Sequence, residues 1–112
     1  YDGACLQKGV QPLVHFGKDF SSSGHLYLLR IPGFQEAQRN ALILSMAEHG
    51  ISTNVHYKPL PMLTAYKNLG FAIQNYPNAF NQYKNEITLP LHTKLTDEDV
   101  NYIINTLMHA IE

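Results

Sequence analysis

Apolar residues recur along the first half of the chain with the spacing of a strand and then of a helix. The stretch HLYLLRI at residues 25–31 is apolar on both faces and is closed by the Pro32–Gly33 turn, which predicts a strand. Residues 34–48 then predict an amphipathic helix that ends at Gly50, because glycine readily adopts the left-handed conformation of a helix C-cap. The apolar stripe of this helix is expected at Phe34, Ala37, Ala41 and Leu44.

A second strand is predicted at residues 51–57, ISTNVHY, where Ile51, Thr53, Val55 and Tyr57 alternate with the polar residues Ser52, Asn54 and His56. Alternation sends Tyr57 towards the core and places Asn54 and His56 together on the opposite, polar face. Prolines at positions 59 and 61 follow at once, and they are expected to stiffen the loop after the strand. This polar face is therefore a candidate ligand-facing surface.

The second half of the chain predicts two short helices, a strand and a long last helix. The short helices are expected in MLTAYKNLG and, with Pro77 in its first turn, in YPNAFNQYKNE. ITLPL predicts a strand, and Pro90 places it at a sheet edge or marks its end. The last helix is expected to start at Thr96 as N-cap, with Asp99 completing a capping box. Its apolar stripe consists of Val100, Ile103, Ile104, Leu107 and Ile111.

These elements predict an α/β (α+β) fold in which helices cover one face of a sheet of about three or four strands. A single domain is expected over residues 1–112. Residues 1–23 are expected to be an irregular lead-in with one short strand at 13–16, and residues 24–112 to form the folded core.

Charge and composition exclude several classes of partner. The net charge is −1 with neutral histidines, and the eight lysines and arginines are scattered, which argues against nucleic acid and anionic membrane surfaces. The single cysteine, Cys5, excludes an intrachain disulfide and fits a reducing cytoplasm. No stretch has the length of a membrane span or the order of a secretory signal. Because the chain starts at Tyr1 instead of a methionine, we expect a preceding segment.

Few residues qualify for chemistry. The six histidines lack metal-ligand spacing and matching carboxylates, and Cys5 lies in a segment that cannot position a base. We therefore predict no catalytic residue and no metal site. The pair His56–Tyr57 stands out at a strand end beside a rigid loop, although a solvated histidine next to a packed tyrosine is the structural alternative. His25 and Lys58 are further candidates, each with a purely structural role or solvent exposure as its alternative.

Several stretches resemble the C-terminal small domain of the DegT/DnrJ-type sugar aminotransferases. The most specific are the H-L-Y strand, GISTNVHYKPL, and LPLHTKLTDEDV with its capped helix, and their order along the chain matches the family. The resemblance implies the aspartate aminotransferase fold (fold type I) and a homodimeric enzyme that depends on pyridoxal phosphate. It also implies a full-length enzyme that transfers an amino group from glutamate to a keto group of a nucleotide-linked sugar.

The same resemblance implies that the reactive groups lie outside this chain. The family's Schiff-base lysine, pyridinium-binding carboxylate and phosphate cup belong to a large domain, and none of the lysines here has the family's serine-rich context. We therefore expect the chain alone to bind no pyridoxal phosphate and to be inactive. The family places substrate-binding positions at the active-site mouth, and the matching residues here are His56, Tyr57, Asn54, Lys58 and His25.

Two rival functions stay open at the level of sequence. One is a free-standing small-molecule-binding or regulatory module without catalysis. The other is a truncated gene product with no function.

Overall fold

The computed structural model describes all 112 residues. The helices are α1 (Asp2–Gln7), α2 (Glu36–Glu48), α3 (Thr64–Asn68), α4 (Pro77–Tyr83) and α5 (Asp97–Ala110). The strands are β1 (Gln11–Pro12), β2 (Phe16–Gly17), β3 (Phe20–Ser21), β4 (Tyr27–Arg30) and β5 (Glu86–Leu89). Single 3-10 turns lie at Leu60–Met62 and Ile73–Asn75. No helix combines the length and the apolar composition that a bilayer crossing requires.

Three strands form an antiparallel sheet in the order β1–β4–β5, and β2 pairs with β3 in a separate hairpin. In the register of the sheet, Leu29 lies opposite Ile87 and Arg30 lies opposite Glu86. β5 is thus an edge strand, and it ends where Pro90 removes the next backbone donor, as predicted. The predicted α+β fold class is confirmed.

The hydrophobic core lies between one face of the sheet and helices α2 and α5. Leu29 and Ile87 at the centre of the sheet are fully buried, as is Leu107 of α5. Full burial of such a side chain contributes about 1.5–3 kcal/mol. The core comprises Cys5, Val10, Tyr27, Leu29, Ile31, Leu42, Met46, Ile51, Ile87, Leu89, Ile103, Leu107 and Met108.

Helix α5 begins as its sequence predicts. The Thr96 hydroxyl accepts a hydrogen bond from the backbone N–H of Asp99 at 3.1 Å, and the Asp99 carboxylate accepts one from the backbone N–H of Thr96 at 2.9 Å. The bonds that the Asp99 carboxylate accepts from the backbone N–H and the hydroxyl of Thr96 lower the pKa of Asp99. The reciprocal pair satisfies two backbone donors that the first turn of a helix otherwise leaves free.

Helix α2 presents a different face to the core from the one predicted. Its buried residues are Arg39, Leu42 and Met46, whereas Leu44 of the predicted apolar stripe is 68% exposed. The reason is Arg39, which donates to the backbone carbonyls of Tyr83 and Glu86 and so turns this side of the helix inward. Hydrophobic spacing alone cannot signal a buried arginine.

The first 23 residues, predicted to be irregular, contribute to the fold. Cys5 in α1 and Val10 beside β1 are fully buried in the core, and Leu13 donates its backbone N–H to the carbonyl of Leu28 at 3.1 Å. The short strand predicted at residues 13–16 is wrong, because β1 forms earlier and Phe16 instead begins the β2–β3 hairpin. Such two-residue strands carry too little alternation to be recognised.

The strand predicted at residues 51–57 is reduced to one bridge, between Asn54 and Thr88. The alternation nevertheless persists up to Val55: Ile51 is buried, Thr53 and Val55 are half-buried, and Ser52 and Asn54 are exposed. The segment therefore runs along the outer edge of β5 and covers its polar side.

Candidate functional site

The polar side of β5 forms the floor of the candidate site. Along this strand, Ile87 and Leu89 point into the core, while Glu86 and Thr88 point to the opposite face. Both polar side chains are nonetheless buried, Glu86 with only 1% of its surface exposed. The cover is the extended segment that carries His56, which reaches both of them through hydrogen bonds.

Three hydrogen bonds connect Glu86, Thr88 and His56. The backbone N–H of His56 donates to Glu86 Oε2 at 3.0 Å. The Thr88 hydroxyl donates to the other oxygen, Glu86 Oε1, at 2.7 Å. The Nδ1 atom of His56 lies 2.9 Å from the same hydroxyl oxygen. We call this Glu86–Thr88–His56 set the relay.

Burial raises the pKa of Glu86, because the protein interior disfavours the charged carboxylate. The hydrogen bonds from Thr88 and from the backbone of His56 partly offset this effect, as do the charge of Arg39 and that of the His56 ring when it is protonated. A buried carboxyl group whose two oxygens both have donors satisfies the requirement for burying such a group.

Tyr57 lies outside the core, contrary to the prediction. Its side chain is 72% exposed, and its ring meets the His56 ring edge-on, with centroids 4.7 Å apart and planes at 89°. The prediction extended strand alternation to residue 57, but the pairing ends at the Asn54–Thr88 bridge, beyond which no ladder holds the two rings on opposite faces. His56 and Tyr57 therefore form one aromatic pair at the surface.

Asn54 belongs to the same neighbourhood. Its backbone exchanges hydrogen bonds with Thr88 at 3.2 and 2.8 Å, and its side-chain oxygen accepts the N–H of Val55 at 2.8 Å. The Asn54 side chain is exposed and its amide nitrogen has no partner in the chain. Lys58 follows the aromatic pair, is exposed and forms no ion pair.

His25 does not join this neighbourhood. Its side chain is exposed just before β4 and borders a concavity formed with the start of the chain, lined by Leu13, Val14, His15, Ser22, Ser23 and Leu26. It forms no hydrogen bond with the relay. The structure thus brings together Asn54, His56, Tyr57 and Lys58 and leaves His25 apart.

Sequence reasoning missed Glu86 and Thr88. A signal was present, since Glu86-Ile87-Thr88-Leu89 alternates with period two, and glutamate is less common in strands than apolar residues are. What the sequence lacks is any mark that a segment 30 residues earlier covers the polar side. Neither in this site nor elsewhere in the chain do three or more His, Cys, Asp or Glu side chains lie close enough to share a metal ion.

The fold matches a domain of solved sugar aminotransferase structures. The Streptococcus pneumoniae protein Spr1654, classed as a sugar aminotransferase and solved in pyridoxal phosphate and pyridoxamine phosphate forms, superposes with a TM-score of 0.96 and 51% identity. The match covers 99% of this chain and 28% of Spr1654. The chain belongs to the DegT/DnrJ/EryC1/StrS aminotransferase family, which it matches over residues 5–108.

Curated relatives give the same assignment. The UDP-4-amino-4,6-dideoxy-N-acetyl-beta-L-altrosamine transaminase of Campylobacter jejuni is 37% identical over 97 residues, which make up 85% of this chain and 25% of that protein. The spore coat polysaccharide biosynthesis protein SpsC of Bacillus subtilis is 30% identical over 106 residues, 92% of this chain and 27% of that protein. The chain thus spans about a quarter of the length of these relatives.

Proposed function

We propose that this chain is the C-terminal small domain of a sugar aminotransferase that depends on pyridoxal phosphate. In the whole protein, an amino group passes from glutamate to a keto group of a nucleotide-linked sugar. The observation that carries the proposal is the superposition on Spr1654 over nearly the whole chain, at 51% identity. The transaminase activity named for the Campylobacter jejuni relative supports the class of substrate.

The residues of this chain do not by themselves fit a pyridoxal phosphate site. Pyridoxal phosphate is an aldehyde, and its site needs a sheltered lysine amine for the Schiff base, a phosphate-binding loop and a carboxylate for the ring nitrogen. Five of the six lysines are exposed, and the remaining one, Lys84, is only half-buried at the end of α4. We therefore place the cofactor with the missing large domain and expect no transamination by the chain alone.

The contribution of this domain is a substrate rim. His56 and Tyr57 offer an aromatic pair at the surface, Asn54 offers an amide without an internal partner, and Lys58 offers a positive charge. Such groups can hold a sugar or a phosphate in the orientation that a reaction needs without moving protons themselves. The relay fixes the His56 backbone and ring to β5, so this part of the rim is held in place by part-buried hydrogen bonds.

The large domain is the first partner in this proposal. An apolar surface at the start of the chain comprises Leu6, Leu13, Val14, Phe16 and Phe20, all exposed. Exposed apolar surface of this kind marks an interaction site, and about three quarters of the relatives' length is not in this chain. We place the rest of the polypeptide against this surface, in a cytoplasmic homodimer.

A chimera tests the proposal. The part of Spr1654 that this chain matches is replaced by residues 1–112, and glutamate-dependent amination of a nucleotide-linked keto sugar is measured. Retained activity, with the isolated chain inactive, is expected. Turnover by the isolated chain, or a folded chimera that binds the cofactor but cannot aminate any sugar that Spr1654 accepts, contradicts it. Binding of a nucleotide sugar by the isolated chain, lost on His56→Ala, would favour a free-standing module instead.

A further inference from the structure

Within the relay, the Thr88 hydroxyl forms two hydrogen bonds but has only one proton, so the direction of one bond fixes the direction of the other. Thr88 has a single hydroxyl proton, and its oxygen lies 2.7 Å from Glu86 and 2.9 Å from His56 Nδ1. A hydroxyl donates one hydrogen bond and accepts others. If the proton points to Glu86, the His56 Nδ1 atom must be the donor of the second bond. If it points to His56, Nδ1 must be the acceptor and Glu86 must donate.

The surroundings of Glu86 select the first arrangement. Burial raises the Glu86 pKa, but the backbone N–H of His56, which donates to Oε2 at 3.0 Å, and the positive charge of Arg39 oppose this shift and favour the carboxylate. An ionised carboxylate only accepts hydrogen bonds, so Thr88 must donate to it. The remaining bond is then N–H to O from the imidazole to the hydroxyl.

We propose that Glu86 is a positioning residue that, through Thr88, holds the proton of neutral His56 on Nδ1 and leaves a lone pair on Nε2. The Nε2 atom forms no hydrogen bond within the chain and is not enclosed by it. The ring therefore presents an acceptor at the rim, next to Tyr57. In histidines generally, the hydrogen bond made by one ring nitrogen sets whether the other nitrogen is protonated. Here the bond at Nδ1 determines that Nε2 is unprotonated.

This inference names the chemistry that His56 accepts, and it rests on the proposed function only for the identity of the ligand. An unprotonated Nε2 accepts a hydrogen bond from a hydroxyl or an amino group, such as those of a sugar. The opposite tautomer offers an N–H there and pairs with a carbonyl or a phosphate oxygen instead. Glu86, without touching the ligand, thus determines which of these groups the rim favours.

Nitrogen-15 NMR of the chain itself tests the proposal, since the two ring nitrogens resonate differently when protonated and when not. Spectra are recorded at about pH 8.5, where imidazoles are generally neutral, and the His56 signals are identified by their loss in His56→Gln. The expected result is a proton on Nδ1. In Glu86→Gln the amide oxygen keeps the His56 N–H and the amide N–H donates to Thr88, so the Thr88 proton turns to His56. The expected result there is a proton on Nε2.

Two variants of Thr88 complete the test. Thr88→Ser keeps the hydroxyl and is expected to keep the proton on Nδ1, whereas Thr88→Val removes the link and is expected to abolish the Nδ1 preference. A proton on Nε2 in the unmodified chain overturns the proposal, whichever variants fold. An unchanged tautomer in folded Glu86→Gln also overturns it. Because these readouts need no substrate or cofactor, their failure is distinct from failure of the proposed function.

Discussion

The guanidinium of Arg39 lies over the ring of Tyr83, with its central carbon 4.6 Å from the ring centroid. The same side chain donates to the backbone carbonyl of Tyr83 at 2.9 Å and to that of Glu86 at 3.2 Å. These contacts fasten α2 to the end of α4 and to the first residue of β5. They also place a positive charge behind the relay, where it acts on Glu86.

Arg39→Ala is expected to lower the free energy of unfolding by about 3 kcal/mol, because it leaves buried carbonyls without donors and opens a cavity. Leu44→Ala, on the exposed side of the same helix, is the matched control and is expected to change it by less than about 0.5 kcal/mol. Urea denaturation measures both. A larger loss for Leu44→Ala than for Arg39→Ala would contradict the observed orientation of α2.

Thr96→Ala is expected to cost about 1 kcal/mol of unfolding free energy, because the N-cap bond to the Asp99 N–H disappears. Thr96→Asn, which retains a cap oxygen, is expected to recover most of this loss. Thr93→Ala serves as control, since the Thr93 side chain is exposed and forms no hydrogen bond. Thermal unfolding followed by circular dichroism reports the differences. Equal effects at positions 93 and 96 would show that the cap contributes nothing.

The raised pKa of Glu86 predicts a pH dependence of stability. Burial raises this pKa above the ordinary value of 4.5, so from that value up to the folded-state pKa the folded chain binds more protons than the unfolded chain. The free energy of unfolding that Glu86 controls therefore falls as pH rises through this window. Compared with Glu86→Gln, the unmodified chain is expected to lose stability between these values. Urea denaturation at a series of pH values measures the difference.

Two other carboxylates calibrate that measurement. Glu48→Gln removes an exposed charge and corrects for the change in net charge. Asp99→Asn is expected to show the opposite sign, since bonds from Thr96 lower the Asp99 pKa below 3.8, and its stabilisation is present above that value and lost as pH falls. If the free energy of unfolding of the unmodified chain, minus that of Glu86→Gln, rises with pH in this window, the effect of burial on Glu86 is refuted.

Phe16→Ser is expected to reduce self-association of the isolated chain, because it removes a 75% exposed side chain from the apolar surface assigned to the large domain. The fold should persist, as Phe16 packs in no core. Leu44→Ser is the control: Leu44 is nearly as exposed, at 68%, but lies on α2 away from that surface. Sedimentation analysis over a range of concentrations measures both. An equal reduction by the two variants would mean that association follows general hydrophobicity.

Features set by neighbouring residues were predicted from the sequence. The Thr96–Asp99 cap, the turn at Gly50 and the end of β5 at Pro90 all depend on bonds or backbone angles within a few positions. The order of elements after residue 23 also follows from hydrophobic period, apart from the strand predicted at residues 51–57, which is reduced to one bridge. The alternation of residues 51–55 also predicted a polar face at Ser52 and Asn54, and exposure in the structure alternates accordingly up to Val55.

The site itself depends on residues distant in sequence. His56 meets Glu86 and Thr88 across 30 and 32 positions, and Arg39 meets Glu86 across 47. Period and composition describe how a side chain relates to its own element, so they cannot reveal that a polar side chain becomes buried by another segment. The burial of Arg39 was missed for this reason, and the prediction for Tyr57 was wrong because the pattern does not show that strand pairing ends at Asn54. Local chemistry determined the elements and their ends, and only the folded chain decided which polar groups meet, because that depends on long-range packing.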